Sequence, residues 1–354
     1  MDIYVYNTSL QVVGVIDTFI SVIWTARYYN IGDFELVLPA SAKNLSYLQK
    51  GYFLVRDKDI GADGTKKNVM IVQNFDLKSD PEDGDILTVS GKGLASVLSQ
   101  RVIARQTTLT GDLRDIINLV VAENIAFPSQ TPRRISNLKL KHTAAFGITG
   151  NVQVTGDNLG EWLSMVCEKY GLGFDVYISG GNFVFEVYAG TDRSTSQTAV
   201  PQVVFSETFE NLINTDYQFL TENYKNTAIV AGEGEGAGKI VATVGTATGL
   251  NRFEVYVDAS DVSTNEGNIN DTEYGILLQN KGIEALTEYI NNELFDGETD
   301  TTTQYKYGVD FFMGDIVEIQ TPYGISAAVR VVEAIDSADD SGQSVIPTFT
   351  VITT

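Results

Sequence analysis

Residues Trp24 to Pro39 read W-T-A-R-Y-Y-N-I-G-D-F-E-L-V-L-P, and their spacing predicts a β-hairpin with one buried face. Trp24, Ala26 and Tyr28 alternate with Thr25, Arg27 and Tyr29. Ile31-Gly32-Asp33 breaks the alternation, and Phe34, Leu36 and Leu38 resume it. A period of two on either side of a Gly-containing break is the pattern of two half-buried strands. Pro39 has no N–H to give to a ladder, so the second strand should stop there. The stretch holds no catalytic constellation.

The same period continues through the first hundred residues. Strand signals lie at residues 3–6, 12–16, 20–28, 34–38, 52–56, 68–75 and 86–90, with Asp83-Gly84 as a turn signal between the last two. Gly91-Lys92-Gly93 leads into a short apolar helix over 94–98 that ends near Arg101. Many short strands separated by turns predict a small barrel or sandwich. Seventeen Tyr and 17 Phe favour β-structure, and 354 residues exceed one usual core.

The period changes after residue 102. Gly111-Asp112 precedes a helix in which Leu113, Ile116, Ile117, Val120 and Val121 repeat at helical spacing. Asp157 is a candidate N-cap for a second helix, with Leu159, Trp162, Leu163, Val166 and Tyr170 on one stripe and Gly171 and Gly173 at its end. A hairpin around Gly180-Gly181-Asn182 follows. Strands return from 201, two of them flanking a Gly-rich loop, and residues 272–295 carry a helical pattern through Leu277, Leu278, Ile283, Leu286, Tyr289, Ile290 and Leu294. From Tyr305 the pattern is β again. The expected fold is mainly β with an α+β insert. It divides into a first β-barrel domain over 1–101, an α+β module over 102–200, a second β-barrel domain over 201–260 and 300–354, and a helical insertion over 261–299.

Charge and motif content exclude more than they assign. With 24 Lys and Arg against 46 Asp and Glu, the chain carries −22 and should repel nucleic acid. Cys167 is the sole cysteine, so no intrachain disulfide forms. The N-terminus lacks a basic region and a long apolar core, so it does not read as a signal peptide. No apolar run approaches the ~20 residues of a membrane span. Asn7-Thr8-Ser9 fits a glycosylation sequon and reads as chance. The loop G-E-G-E-G-A-G-K, Gly232 to Lys239, has Glu233 where a phosphate loop needs glycine and Ile240 where it needs Ser or Thr, so a flexible hairpin tip is expected. Asp57, Asp59 and Asp63 lack the calcium-loop spacing and read as a solvated loop, as do Asp336, Asp339 and Asp340. His142 is the only histidine, no G-x-S-x-G elbow occurs, and Cys167 sits on an apolar helix stripe as a core residue. No catalytic residue, metal ligand or cofactor site is expected, although carboxylate pairs of the glycosidase kind are open to any chain this acidic.

A resemblance adds to this reading. It is carried by Trp24, Arg27, Tyr28, Gly32, Phe34, Glu35, Leu36 and Pro39, by Gly51 in G-Y-F-L-V, and by V-S-G-K-G-L-A-S-V-L-S-Q-R from Val89 to Arg101. Towards the other end, Y-G-V-D-F-F-M-G-D-I-V-E-I from Tyr307 to Ile319 and V-R-V-V-E-A-I from Val329 to Ile335 continue it. In this order the segments resemble the tail hub proteins of long-tailed phages, the tail-associated (Tal-like) or baseplate hub proteins, in the short form without a lysin domain. The resemblance implies a non-enzymatic homotrimer at the tail tip of the virion, made in the bacterial host cytoplasm. Two barrels per subunit would give a pseudo-sixfold ring between the sixfold tail tube and a threefold tip. Its partners would be the distal tail protein, the tape measure protein and a tail fibre or spike protein. DNA would pass through the channel without stable binding, favoured by an acidic lumen wall. Longer relatives append a peptidase or lysin domain; this chain ends at Thr354, after the second barrel, so that activity is expected to be absent. The residues implied are structural: Trp24, Arg27, Gly32, Phe34, Leu36 and Pro39 in the first hairpin, Gly91 and Gly93 turning into the helix that ends near Arg101, and Gly314-Asp315 turning the second barrel.

Two other classes fit the composition. A cell-wall hydrolase component would need a carboxylate pair or metal in a cleft, and the lone histidine counts against it. A carbohydrate-binding adhesin would use exposed aromatics, and the α+β module and lack of repeated modules count against it.

Overall fold

The computed structural model describes residues 1–80, 84–105, 107–209, 211, 213–264, 268–289, 292–298, 305–321, 323–324 and 326–352. The first β region contains β1 (Ile3–Tyr6), β2 (Val12–Ile16), β3 (Ser21–Arg27), β4 (Asp33–Pro39), a short helix α1 (Ala42–Tyr47), β5 (Phe53–Arg56), β6 (Met70–Asp80) and β7 (Gly84–Gly93). The α+β insert follows, with β8 (Thr107–Asp112), α2 (Leu113–Val121), β9 (Leu138–Leu140), β10 (Thr149–Val154), α3 (Leu159–Tyr170), β11 (Gly173–Ser179) and β12 (Asn182–Tyr188). The remainder holds β13 (Val204–Ser206), β14 (Ile213–Leu220), β15 (Thr227–Ala231), β16 (Val241–Val244), β17 (Glu254–Asp258), α4 (Asp271–Thr287), β18 (Asn292–Glu298), β19 (Ile316–Gln320), β20 (Ser326–Asp339) and β21 (Gly342–Val351). The fold is mainly β with an α+β insert, as the periodicities imply.

The hairpin read from Trp24 to Pro39 is β3 and β4, antiparallel, with Trp24 opposite Phe34 and Val22 opposite Leu36. The other side of β3 pairs antiparallel with β20, setting Trp24 opposite Asp336. The two ends of the chain therefore share one hydrogen-bonded sheet, β14-β18-β21-β20-β3-β4-β7-β6-β5-β1-β2, with β19 joined to β20 and β13 to β19. Two separate apolar cores lie along it. One gathers Val22, Trp24, Phe34, Leu36, Leu38, Met70 and Val89; the other gathers Phe205, Phe311, Val317, Val331 and Phe349.

The stripes of the two main helices of the insert build a third core, which runs on into Tyr6, Phe53, Val55, Val69 and Ile71 of the first β region. Asp112 caps α2 by accepting from the Arg114 N–H, and Leu113, Ile116, Ile117, Val120 and Val121 are all buried. The cap of α3 is Asn158, whose Oδ1 accepts from Gly160 and Glu161 at 3.0 and 3.3 Å. Asp157, the expected cap, instead offers its carbonyl to the Ile103 N–H. Gly171, at φ +64°, closes α3 in the left-handed region. Cys167 is fully buried, and burial pushes its thiol well above the ordinary range. A thiol reagent should therefore label Cys167 only at the rate of global unfolding; fast labelling of the native protein would contradict this core.

Several elements differ from the sequence expectations for physical reasons. The apolar pattern over 272–295 is two elements: α4 ends at Thr287, and Leu294 lies on β18, paired antiparallel to β14. The helix over 94–98 is a 3-10 helix, Leu94–Gln100, and Gly91 lies within β7 rather than in a turn. α1 is announced only by Ser41, whose Oγ accepts from the Asn44 N–H at 3.0 Å. The loop after Gly232 does join two antiparallel strands, β15 and β16, but these with β17 form a three-stranded sheet of their own against α4. Asp83 of the Asp83-Gly84 signal and Ile290 of the helical pattern lie outside the described residues.

Candidate functional site

The residues marked by the sequence hold a joint rather than a catalytic cleft. At its edge, Arg27 ends β3 and donates to Asp33 at 2.7 Å, to the Ile31 carbonyl at 2.9 Å and to Glu333 of β20 at 2.6 Å. Burial disfavours the Asp33 carboxylate, yet the Arg27 hydrogen bond and charge hold its pKa below the ordinary value. Gly32 sits so close to β3 that a Cβ would fall 2.2 Å from the Thr25 carbonyl oxygen, and a Cβ on Gly91 would fall 1.9 Å from that of Ile71. Both contacts are with backbone, so neither position accepts a side chain. Gly93 donates to the Gly32 carbonyl, and Arg101 reaches the Arg133 carbonyl at 2.9 Å, tying the 3-10 helix to the insert. Phe34 and Leu36 are buried beside Trp24, while Pro39 is the exposed last residue of β4.

The centre of the joint is Tyr28, one residue beyond β3 and fully buried. Its N–H donates to the Val332 carbonyl of β20, and its carbonyl accepts from the Phe174 N–H of β11. Its hydroxyl donates to the Gly171 carbonyl at 3.0 Å and accepts from the Gly190 N–H at 2.9 Å. The ring lies in a socket that only glycines can form: a Cβ on Gly173 would meet it at 2.3 Å and one on Gly314 at 2.1 Å. The Arg330 guanidinium covers the ring at 5.5 Å and donates to the Gly314 carbonyl at 2.9 Å. Asp315, itself buried, accepts from Thr191 N–H at 2.8 Å, Arg193 Nε at 2.7 Å and Phe312 N–H at 3.0 Å. Gly314 and Asp315 thus join the last β region to the insert, and Tyr28 joins both to the first. The Trp24-to-Pro39 pattern exposes Tyr28 as a core position; its partners at 171–190 and 314–332 are too distant in sequence to be read.

A second tie lies on the far side of Trp24. Arg56 stacks over the Trp24 ring at 4.9 Å and donates to Asp59 at 2.5 Å and Asp336 at 2.7 Å. Lys58 also donates to Asp336. Asp59 and Asp336, expected in solvated loops, are buried ion-pair members because Arg56 neutralises both.

Asp175 on β11 lines a small pocket between the three parts, with Thr25, Gly93, Tyr188 and Met313. Burial pushes its carboxyl up to about 6, partly offset by Lys67. A pKa raised on folding contributes stability that is complete below the unfolded value and is lost as pH rises through about 6. Asp175→Asn should therefore raise stability at pH 7.5 by about 1–3 kcal/mol and flatten the profile between pH 5 and 7. Parallel pH profiles for the two proteins in urea unfolding would contradict the assignment.

Among the described residues no group of three His, Cys, Asp or Glu is placed to hold a metal ion. His142 is exposed in the loop after β9. No described helix is long and apolar enough to cross a membrane.

The fold has counterparts among solved structures. The 43 kDa tail protein of prophage MuSo2 from Shewanella oneidensis has 14% identity, a TM-score of 0.59, and coverage of 99% of this chain and 98% of its own. A tail protein from Neisseria meningitidis MC58 has 15% identity, a TM-score of 0.58, and coverage of 99% and 96%. Prophage tail protein gp18 from Listeria monocytogenes EGD-e has 12% identity, a TM-score of 0.55, and coverage of 100% and 95%. At these identities the likeness is one of fold, and it bears out the resemblance to phage tail proteins. No curated protein matches the chain. The model of one family, however, matches residues 2–349, nearly the full length, and the chain belongs to the Siphovirus ReqiPepy6 Gp37-like protein family.

Proposed function

We propose that this chain is a structural, non-enzymatic subunit of a phage tail hub. Three copies close into a ring that joins the sixfold tail tube and distal tail protein to a threefold fibre or spike, and the ring leaves a channel for DNA. The observation that carries this reading is a fold shared from end to end with prophage tail proteins. The β3–β20 ladder supports it, because it gives each subunit two β bodies at a fixed spacing, and three subunits then offer six. In this reading residues 1–101 and the sheet of β13, β14 and β18–β21 are the bodies that line the channel. The net charge of −22 suits a lumen that DNA crosses without sticking.

Light scattering on the purified protein should give a mass near three times the 38.6 kDa subunit, with a central hole in negative-stain images. A monomer at micromolar concentration would sink the ring. Tight DNA binding by the ring at low salt would sink the acidic lumen.

A further inference from the structure

The acidity of this chain is not evenly spread. Residues 101–142 hold seven Arg or Lys against three Asp or Glu, whereas residues 143–354 hold eight against 31. The fold gathers much of the basic stretch into one patch. Arg105, Arg133, Asn124 and Phe127, with Glu123 as the one acid, line a surface pocket of about 340 Å³. Phe127 and Val102 are 57% and 52% exposed beside it. The Arg134 guanidinium lies over the Phe127 ring at 5.5 Å. Arg133 donates to the Val102 carbonyl and to Asn124 Oδ1, and its own carbonyl accepts from Arg101, so the patch is held in place by the backbone. Among the described residues, Arg101, Arg133 and Arg134 have no carboxylate within ion-pair distance.

The same chain carries a surface of opposite character. Residues 227–288, the unit of β15–β17 and α4, hold ten Asp or Glu against three Arg or Lys. Val255 and Val257 of β17 pack on the side of α4, so Glu254, Tyr256 and Asp258 share the opposite, exposed face of the strand, where Glu254 and Asp258 each hold one cation, Arg252 and Lys239. Leu250, Phe253 and Tyr256 are 98%, 46% and 63% exposed on this unit.

We infer that the arginine patch is one half of the subunit contact, and that its occupant is the acidic, aromatic face of residues 227–288 from a second copy of this chain. The inference rests on the ring reading above. Arginine around an exposed aromatic, facing acids around exposed aromatics, matches in both charge and apolar character. A two-fold dimer through this patch would set arginines against arginines, whereas joining two different surfaces is the heterologous contact that closes rings. An anionic polymer on the same patch would have to approach a body carrying −22.

The test uses the full chain and two surface variants whose unfolding midpoints are first matched to wild type. Phe127→Asp with Arg134→Glu alters the patch; Leu250→Asp with Tyr256→Asp alters the opposite face. Each variant alone should stay monomeric at concentrations roughly a hundredfold above those at which wild type assembles. An equimolar mixture should form a dimer and stop there, because each copy retains one good face. A trimeric wild type with a trimeric patch variant overturns this contact and leaves the ring standing. Monomeric variants whose mixture stays monomeric also overturn it. A monomeric wild type overturns the ring itself. Loss of binding to a soluble polyanion in a patch variant that remains trimeric would assign the patch to that class of ligand instead.

Discussion

Tyr28→Ala should cost about 3–5 kcal/mol, the range for removing a large buried aromatic from a packed site. The cavity cannot collapse cheaply, because the socket walls are the backbone at Gly173 and Gly314. The side chain also satisfies the Gly190 N–H and the Gly171 carbonyl, which the truncation leaves without their partner. Tyr28→Phe isolates that second part and should cost about 1–3 kcal/mol. The variant should also change how the molecule unfolds. The two tryptophans, Trp24 and Trp162, lie in the first β region and on α3 of the insert, so Trp24→Phe and Trp162→Phe leave one reporter in each part. In the wild-type background the two reporters should share one urea midpoint. In the Tyr28→Ala background they should separate, since the hydrogen-bonded tie is gone and only the apolar contact of β1, β5 and β6 and the Lys66–Ile178 bonds still join the two parts. Coincident midpoints with a loss under about 1 kcal/mol would show that Tyr28 is merely buried and does not couple the parts.

What the chain discloses on its face is what neighbouring residues decide. The β3–β4 hairpin is legible because alternation, a close glycine and a terminal proline all lie within Trp24 to Pro39. The stripes of α2 and α3 are legible because they repeat over about two and a half and three turns. The end of α4 is not, because apolar residues continue at similar spacing through Leu294 with no Gly or Pro to stop them, and only pairing with β14 places Leu294 on a strand. The union of the two β regions through β3 and β20 is likewise hidden, since register between segments 300 residues apart leaves no local trace. The joint shows the same division. Its individual glycines stand out, but that Gly173 and Gly314 close on one tyrosine ring is a fact of tertiary packing. Asp59 and Asp336 sit in sequences rich in Gly, Ser and Asp, which ordinarily mark solvated turns. Their burial is set by one arginine, 280 residues from Asp336.

That arginine makes the second large effect. Arg56→Ala should cost about 3 kcal/mol, at the lower end of what breaking a buried ion pair costs. Removing the cation leaves two buried carboxylates near each other. Asp59 keeps the Asn68 amide at 2.7 Å, and Asp336 keeps Lys58 and the Gln343 amide, which is why the loss should not reach the upper end. Arg56→Lys should not rescue the protein fully, because a single ammonium lacks the two separate nitrogens that reach Asp59 and Asp336, and it loses the planar stack on Trp24. Lys58→Ala, by contrast, should cost under about 1 kcal/mol, as its side chain is 40% exposed. A double-mutant cycle gives an independent check. Arg56→Ala, Asp336→Asn and the double variant should show a coupling above about 1 kcal/mol in urea unfolding. A coupling near zero would mean that Arg56 acts through its contact with Trp24 alone, and that the stitch between β5 and β20 is not electrostatic.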